Sequence, residues 1–139
     1  MTSHDGAAIA QRYYDEIWNA RRYEAAGELF HPQFHYEEAP GRGAAAKLAA
    51  IRDFHASFPD LHISIDDLVA AGDRVAAKLT VTGTDTGGVQ GKPATGRPVR
   101  FWAVEHLAIR DEQIISVWVG GDWLGLFIQL GAIPDPWQR

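Results

Sequence analysis

Cysteine is absent from the 139 residues, and methionine occurs only once, at the start. No disulfide can form, no thiolate can hold a metal, and nothing points to an oxidising compartment. No apolar run approaches the roughly 20 residues of a bilayer span. The start, MTSHDGAAIAQRYYDE, has neither the basic stretch nor the apolar core of a secretory signal. A basic cluster is lacking too. The 13 Lys and Arg are scattered singly through a chain of net charge −5, whereas a nucleic-acid binder gathers them into a face that neutralises phosphates. These absences leave a soluble cytoplasmic protein, with neither nucleic acid nor membrane as a partner. Repeats and low-complexity tracts are also missing, and the length suits one domain over residues 1–139.

What is present is a change of period along the chain. Over residues 5–20, Ile9, Tyr13 and Ile17 recur at i, i+4, i+8, with Ala10, Tyr14 and Trp18 one step round, an apolar stripe at helical spacing. RRYEAAGELF continues as a second helix, stopped at His31-Pro32 because proline disfavours helical geometry in the residue before it. QFHYEE is a short strand. Leu48, Ile51, His55 and Phe58 line a third helix ending before Pro59. The period then falls to two in LHISIDDLVAAGD, RVAAKLTVTGT, VRFWAVEHLAI and QIISVWVGG, which read as strands. DWLGLFIQLG closes as a short helix with Gly131 just past its end. Three early helices, then antiparallel strands, predict an α+β domain with helices packed on one face of a strongly bent sheet. The five Trp, four Tyr and six Phe are either its core or the lining of a cone-shaped cavity suited to a flat, largely apolar small molecule.

Longer stretches, FPDLHISIDDLVAAGDRVAAKLTVTGTDTG, GKPATGRPVRFW and ISVWVGGDWLGLFIQLGAIP, resemble the SnoaL-like polyketide cyclase family, as do the opening helix and ELFHPQF. The resemblance implies a cone-shaped α+β barrel with a deep apolar pocket and no metal or organic cofactor. It also implies an aromatic polyketide-like substrate whose last ring is closed by an intramolecular aldol step. Related members are implicated in hydroxylation, which would need a partner reductase or an activated substrate, and others are binding or dimerisation modules, so the fold alone does not settle the chemistry.

Glu105 and His106 stand side by side in an otherwise apolar strand, and alternation lets only one face the cavity. A two-residue turn at Asp111-Glu112 pairs Arg110 with Gln113 and puts Glu105 opposite Trp118, facing inward. A longer turn or a bulge brings His106 to Trp118 instead. The bulk of Phe101, Leu107 and Ile109 favours Glu105 inward. Burial beside a Trp would favour its neutral form, as suits a general acid or base near neutral pH. His35, His106, Tyr14 or Tyr36 could donate to a developing oxyanion. The resemblance places an acid directly after the strand's Trp, where this chain has Val119, and a cavity histidine where it has Glu105. Asp122 either caps the last helix or, turned inward by a bulge, serves as the acid. His35 and Glu37 are a proton relay or a solvated edge. His31 and His35 are spaced i, i+4, but Pro32 argues against a shared helix face and hence against metal binding. Tyr14, Trp18, Phe34, Tyr36, Trp102 and Trp118 are candidates to contact substrate. The glycine-rich TGTDTGGVQGKPATGRP is a long hairpin loop, a rim or a lid of the pocket. Outward-facing Ile115, Val117 and Val119 would form an apolar strip, predicting a homodimer through the outer sheet face.

Overall fold

Asp5 accepts a hydrogen bond from the Ala8 amide and caps helix α1, Gly6–Arg12, in a computed structural model that describes residues 5–137. The helix does not stay α. From Tyr13 to Asn19 it widens into a π-helical stretch, closed by the Ala20 amide bonding to the Asp15 carbonyl five residues back. In a turn of 3.6 residues, positions 13 and 18 would lie about 140° apart. The wider winding brings them together, so Tyr13, Tyr14, Ile17 and Trp18 are all buried and the Trp18 indole N–H donates to the Tyr13 hydroxyl at 3.0 Å.

A 3₁₀ turn, Tyr23–Ala25, leads into the one-turn helix α2, Ala26–Leu29. Strand β1 starts at Phe30 and runs to Tyr36, so His31 and Pro32 belong to the strand and the second helix is shorter than its pattern suggested. Pro32 is tolerated because β1 is an edge strand. Helix α3, Ala44–Ser57, follows, then β2, His62–Ala71; β3, Arg74–Thr84; β4, Pro98–Arg110; β5, Gln113–Gly121; and helix α4, Trp123–Gln129. The sheet order is β1-β5-β4-β3-β2, with β1 parallel to β5 and the remaining neighbours antiparallel. β1 and β2 remain edges, so the α+β sheet is curved without closing into a barrel.

The turn between β4 and β5 decides what the sheet shows to each side. Asp111 and Glu112 both have positive φ, 53° and 61°, a two-residue hairpin turn whose twist suits the strands. Arg110 pairs with Gln113 and Ile109 with Ile114, but Ala108 then pairs with Ser116. Ile115 is the extra residue of a bulge, and beyond it β5 is reversed in facing. The expected pairing of Glu105 with Trp118 is therefore corrected: Glu105 pairs with Val119 and His106 with Trp118. Glu105 still faces inward, because the bulge turns β5 and not β4. Val117 and Val119 face inward as well, which removes the outer valine strip; Ile115 alone of the three is on the back. Trp118 is turned outward and is 43% exposed.

Two consecutive glycines finish β5 because rings lie over both. A Cβ on Gly120 would come within 2.9 Å of Trp118, and one on Gly121 within 2.8 Å of Trp123. Gly131, with φ of 73°, takes the left-handed position after α4. The α4 residue Gln129 accepts from the Arg100 amide at 2.8 Å and donates to its carbonyl at 2.9 Å, satisfying the stretch of β4 that extends beyond the end of β5.

Candidate active site

Helix α3 and the π-helical stretch cover the inner face of the sheet and leave a cavity of about 790 Å³. Its walls are mostly apolar, from Ile51, Phe58, Leu61, Leu79, Phe101 and Val119 among others, while Gly88 to Gly91 of the glycine-rich loop form part of the rim. That loop is held by Asp85, which is buried and accepts from the Gly88 amide and from the amide and hydroxyl of Thr95. The cavity and its rim loop are thus where the sequence expected them.

Glu105 lies in the cavity wall and is 3% exposed. Its β3 neighbour is Ala77 and the next inward residue along β4 is Ala103, so small side chains leave room for it. One carboxylate oxygen, Oε1, accepts from the Tyr14 hydroxyl at 2.8 Å, and Oε2 accepts from Lys47 Nζ at 2.7 Å and from the Tyr13 hydroxyl at 3.5 Å. The lone carboxyl against an indole, expected from the sequence, is instead half of a buried ion pair. Lys47 is 5% exposed and lies near the rings of Tyr36, at 5.6 Å, and Trp18, at 6.0 Å. Arg42 covers the Tyr36 ring as well, 4.5 Å from its centre.

The charges are coupled. Burial alone would lower the Lys47 pKa, but the facing Glu105 carboxylate and the tyrosine oxygens outweigh it and raise it above the usual lysine value. Burial, reinforced by the Glu105 charge, raises the pKa of Tyr13 and of Tyr14. Lys47 is accordingly a cation, and both tyrosines are O–H donors, across the physiological range.

The remaining candidates fall in different places. Trp18 and Tyr36 line the cavity. Tyr14 stands behind Glu105, and Phe34 is packed into the core against Phe30 and Tyr36. Trp102 and Trp118 do not face the cavity: strand alternation beside buried Phe101 and Val117 puts them on the outer face, Trp102 50% exposed. His106 is on that outer face too, opposite Trp118. His35 lies at the β1 edge in a separate polar hollow of about 270 Å³; its Nδ1 meets the Gln33 carbonyl at 3.1 Å, while Glu37 lies 3.9 Å from Arg74, so no relay between them forms. Asp122 caps α4 by accepting from the Gly125 amide at 2.9 Å. Among the described residues no three His, Cys, Asp or Glu gather as metal ligands, and no helix is long and apolar enough to cross a membrane.

Lys47 and Tyr13 were not singled out by the sequence reading. Lys47 did carry a signal: it precedes Ile51 by four residues and His55 by eight, and these three are the buried residues of α3. Tyr13 stood in the first apolar stripe, but its contact with Trp18 depends on the π winding, for which the sequence has no mark.

The sequence profile of SnoaL-like polyketide cyclases matches residues 8–130. No curated protein matches the sequence. Among solved structures, the chain is similar to AclR from Streptomyces galilaeus, a candidate hydroxylase, at 25% identity and a TM-score of 0.85, covering 96% of this chain and 85% of that one. It is similar to TsrD from Streptomyces laurentii at 28% identity and a TM-score of 0.84, over 96% and 100% of the two chains. It is also similar to IdmH from Streptomyces antibioticus, a candidate polyketide cyclase, at 28% identity and a TM-score of 0.81, over 92% and 99%. With most of its length matched and a cavity behind its curved sheet, the chain belongs to the SnoaL-like polyketide cyclase family.

Proposed function

We propose that the protein closes a ring of an aromatic polyketide-like substrate by an intramolecular aldol step, without a cofactor, with Glu105 as acid and base. The observation that carries this reading is that Glu105 is the one carboxylate, among the described residues, both buried and in the cavity wall. Val119, where the family resemblance expects the acid, faces the same space and pairs with Glu105 across the ladder; the acid has moved one strand over to the paired position. Oε1 holds a single hydrogen bond, from Tyr14, which leaves a second lone-pair site for a substrate proton. Tyr14 and Tyr13 are positioning residues that fix the carboxylate plane.

Incubation with an anthraquinone-type ester tests the reading. Ring-closed product without additives is the expected result, and E105Q should lower turnover by about 10²–10⁴-fold while ligand binding persists. Undiminished turnover in E105Q would remove Glu105 from the chemistry. A second reading, hydroxylation, is favoured by the missing acid at Val119 and by the similarity to AclR; it requires product only when oxygen and a reductant are supplied. Tight binding with no product under either condition would indicate a binding module. Self-association through the outer sheet face belongs to the same proposal, now carried by Trp102 and Trp118 rather than by valines.

A further inference from the structure

Lys47 has three N–H donors and gives one to Glu105 at 2.7 Å. The Tyr13 hydroxyl, which shares the oxygen Oε2 with it, is the other oxygen beside Nζ, and a third N–H remains for a ligand. The ammonium sits in the wall of the cavity, almost wholly buried, and the faces of Tyr36 and Trp18 lie on its other sides. Ring faces repay a desolvated cation partially, and donors without acceptors in a dry site are costly. An N–H left over at the cavity wall is placed to meet an oxygen that a ligand brings.

We propose that Lys47 is the oxyanion ligand of the site, donating to the substrate carbonyl next to the carbon that Glu105 deprotonates, so that the substrate is an enolisable ketone or β-dicarbonyl attached to an aromatic system. This rests on the reading of Glu105 as base. Charge balance favours the arrangement. Before reaction the pair is Glu105 carboxylate and Lys47 ammonium, with a neutral substrate. The C–H proton passes to Glu105, and the electron pair of that bond moves through the carbonyl to its oxygen. Glu105 is then neutral, and the enolate takes over as the counter-ion of Lys47. The enolate carbon bonds to the second carbonyl carbon, and the Glu105 proton goes to the alkoxide formed there. No atom is gained or lost and no oxidant is needed. Because Lys47 stays protonated, it serves as a donor and not as an amine nucleophile.

A nitro-substituted naphthol, whose anion is coloured, mimics the enolate and reports its own ionisation when bound. At pH values above the naphthol's own pKa, the unmodified protein should bind the anion while taking up one proton on Glu105, so that affinity falls about tenfold per pH unit. E105Q should bind the anion more tightly, with no proton uptake and a flat pH profile. K47M should lose at least about 100-fold in anion affinity, and K47R should keep most of it. The gain in E105Q reads the same ammonium without removing it, in case K47M does not fold. Equal anion affinity in K47M and the unmodified protein, or no anion binding by either the unmodified protein or E105Q, would overturn the proposal. Failure of the base reading looks different: E105Q would then retain turnover while anion binding still depended on Lys47.

Discussion

Lys47 and Glu105 are each buried charges that only the other neutralises at contact distance, so neither can be removed alone without cost. Breaking a buried pair by deleting one partner destabilises by about 3–5 kcal/mol, whereas replacing both by neutral groups of similar size is close to neutral. K47A should therefore lower the denaturation midpoint strongly, and K47M/E105Q together should lose much less than the sum of the single changes. Additive losses in chemical denaturation would show that the ion pair is energetically incidental. Glu105 was legible at this scale, since alternation with Phe101, Leu107 and Ile109 is a property of one strand read by itself. Its partner was not, because a lysine on an apolar helix stripe is ordinarily taken to extend its charge into water.

At the scale of elements, His55 ties α3 to the π-helical stretch. Its Nε2–H donates to the Trp18 carbonyl at 2.8 Å, so Nδ1 is the acceptor for the Tyr23 hydroxyl at 2.6 Å. Burial lowers its pKa, opposed by the bond to Trp18, and the folded state prefers the neutral ring. The unfolded chain takes up the proton at about pH 6.5, the folded one only at lower pH. The His55 contribution is thus present above about 6.5 and is lost as pH falls from there to the folded value. Melting temperatures followed from about pH 7.5 to 5 should decline with a component that H55Q lacks; identical profiles would dismiss this role. The helices and strands themselves could be read from period and punctuation, Phe58-Pro59 and Gly131 being clear examples. The bulge at Ile115 and the π winding at Tyr13–Asn19 could not. Both are one-residue departures that local composition does not encode, and the bulge moved Trp118 from the cavity to the opposite face.

Across the whole molecule, the alternation of β4 and that reversal in β5 leave Trp102 and Trp118 outside, half and two-fifths exposed respectively, on the surface of β4 and β5 remote from the helices. Large exposed aromatics on a sheet face are a recognised site of association. Sedimentation at micromolar concentration should show a dimer, and W102E/W118E should show a monomer with its thermal stability nearly intact. A monomer in the unmodified protein would leave the two indoles without that purpose. The pairing of β1 with β5 has a further consequence, for synthesis. The segment from α1 to β1 is made with Tyr13, Tyr14 and Trp18 before the sheet that receives them; the strand that accepts Phe30 to Tyr36 is the last of the five in chain order. Such distant pairings slow folding, so this segment must wait for β5 before its greasy flank is covered, and a product truncated ahead of β5 would be an adhesive one.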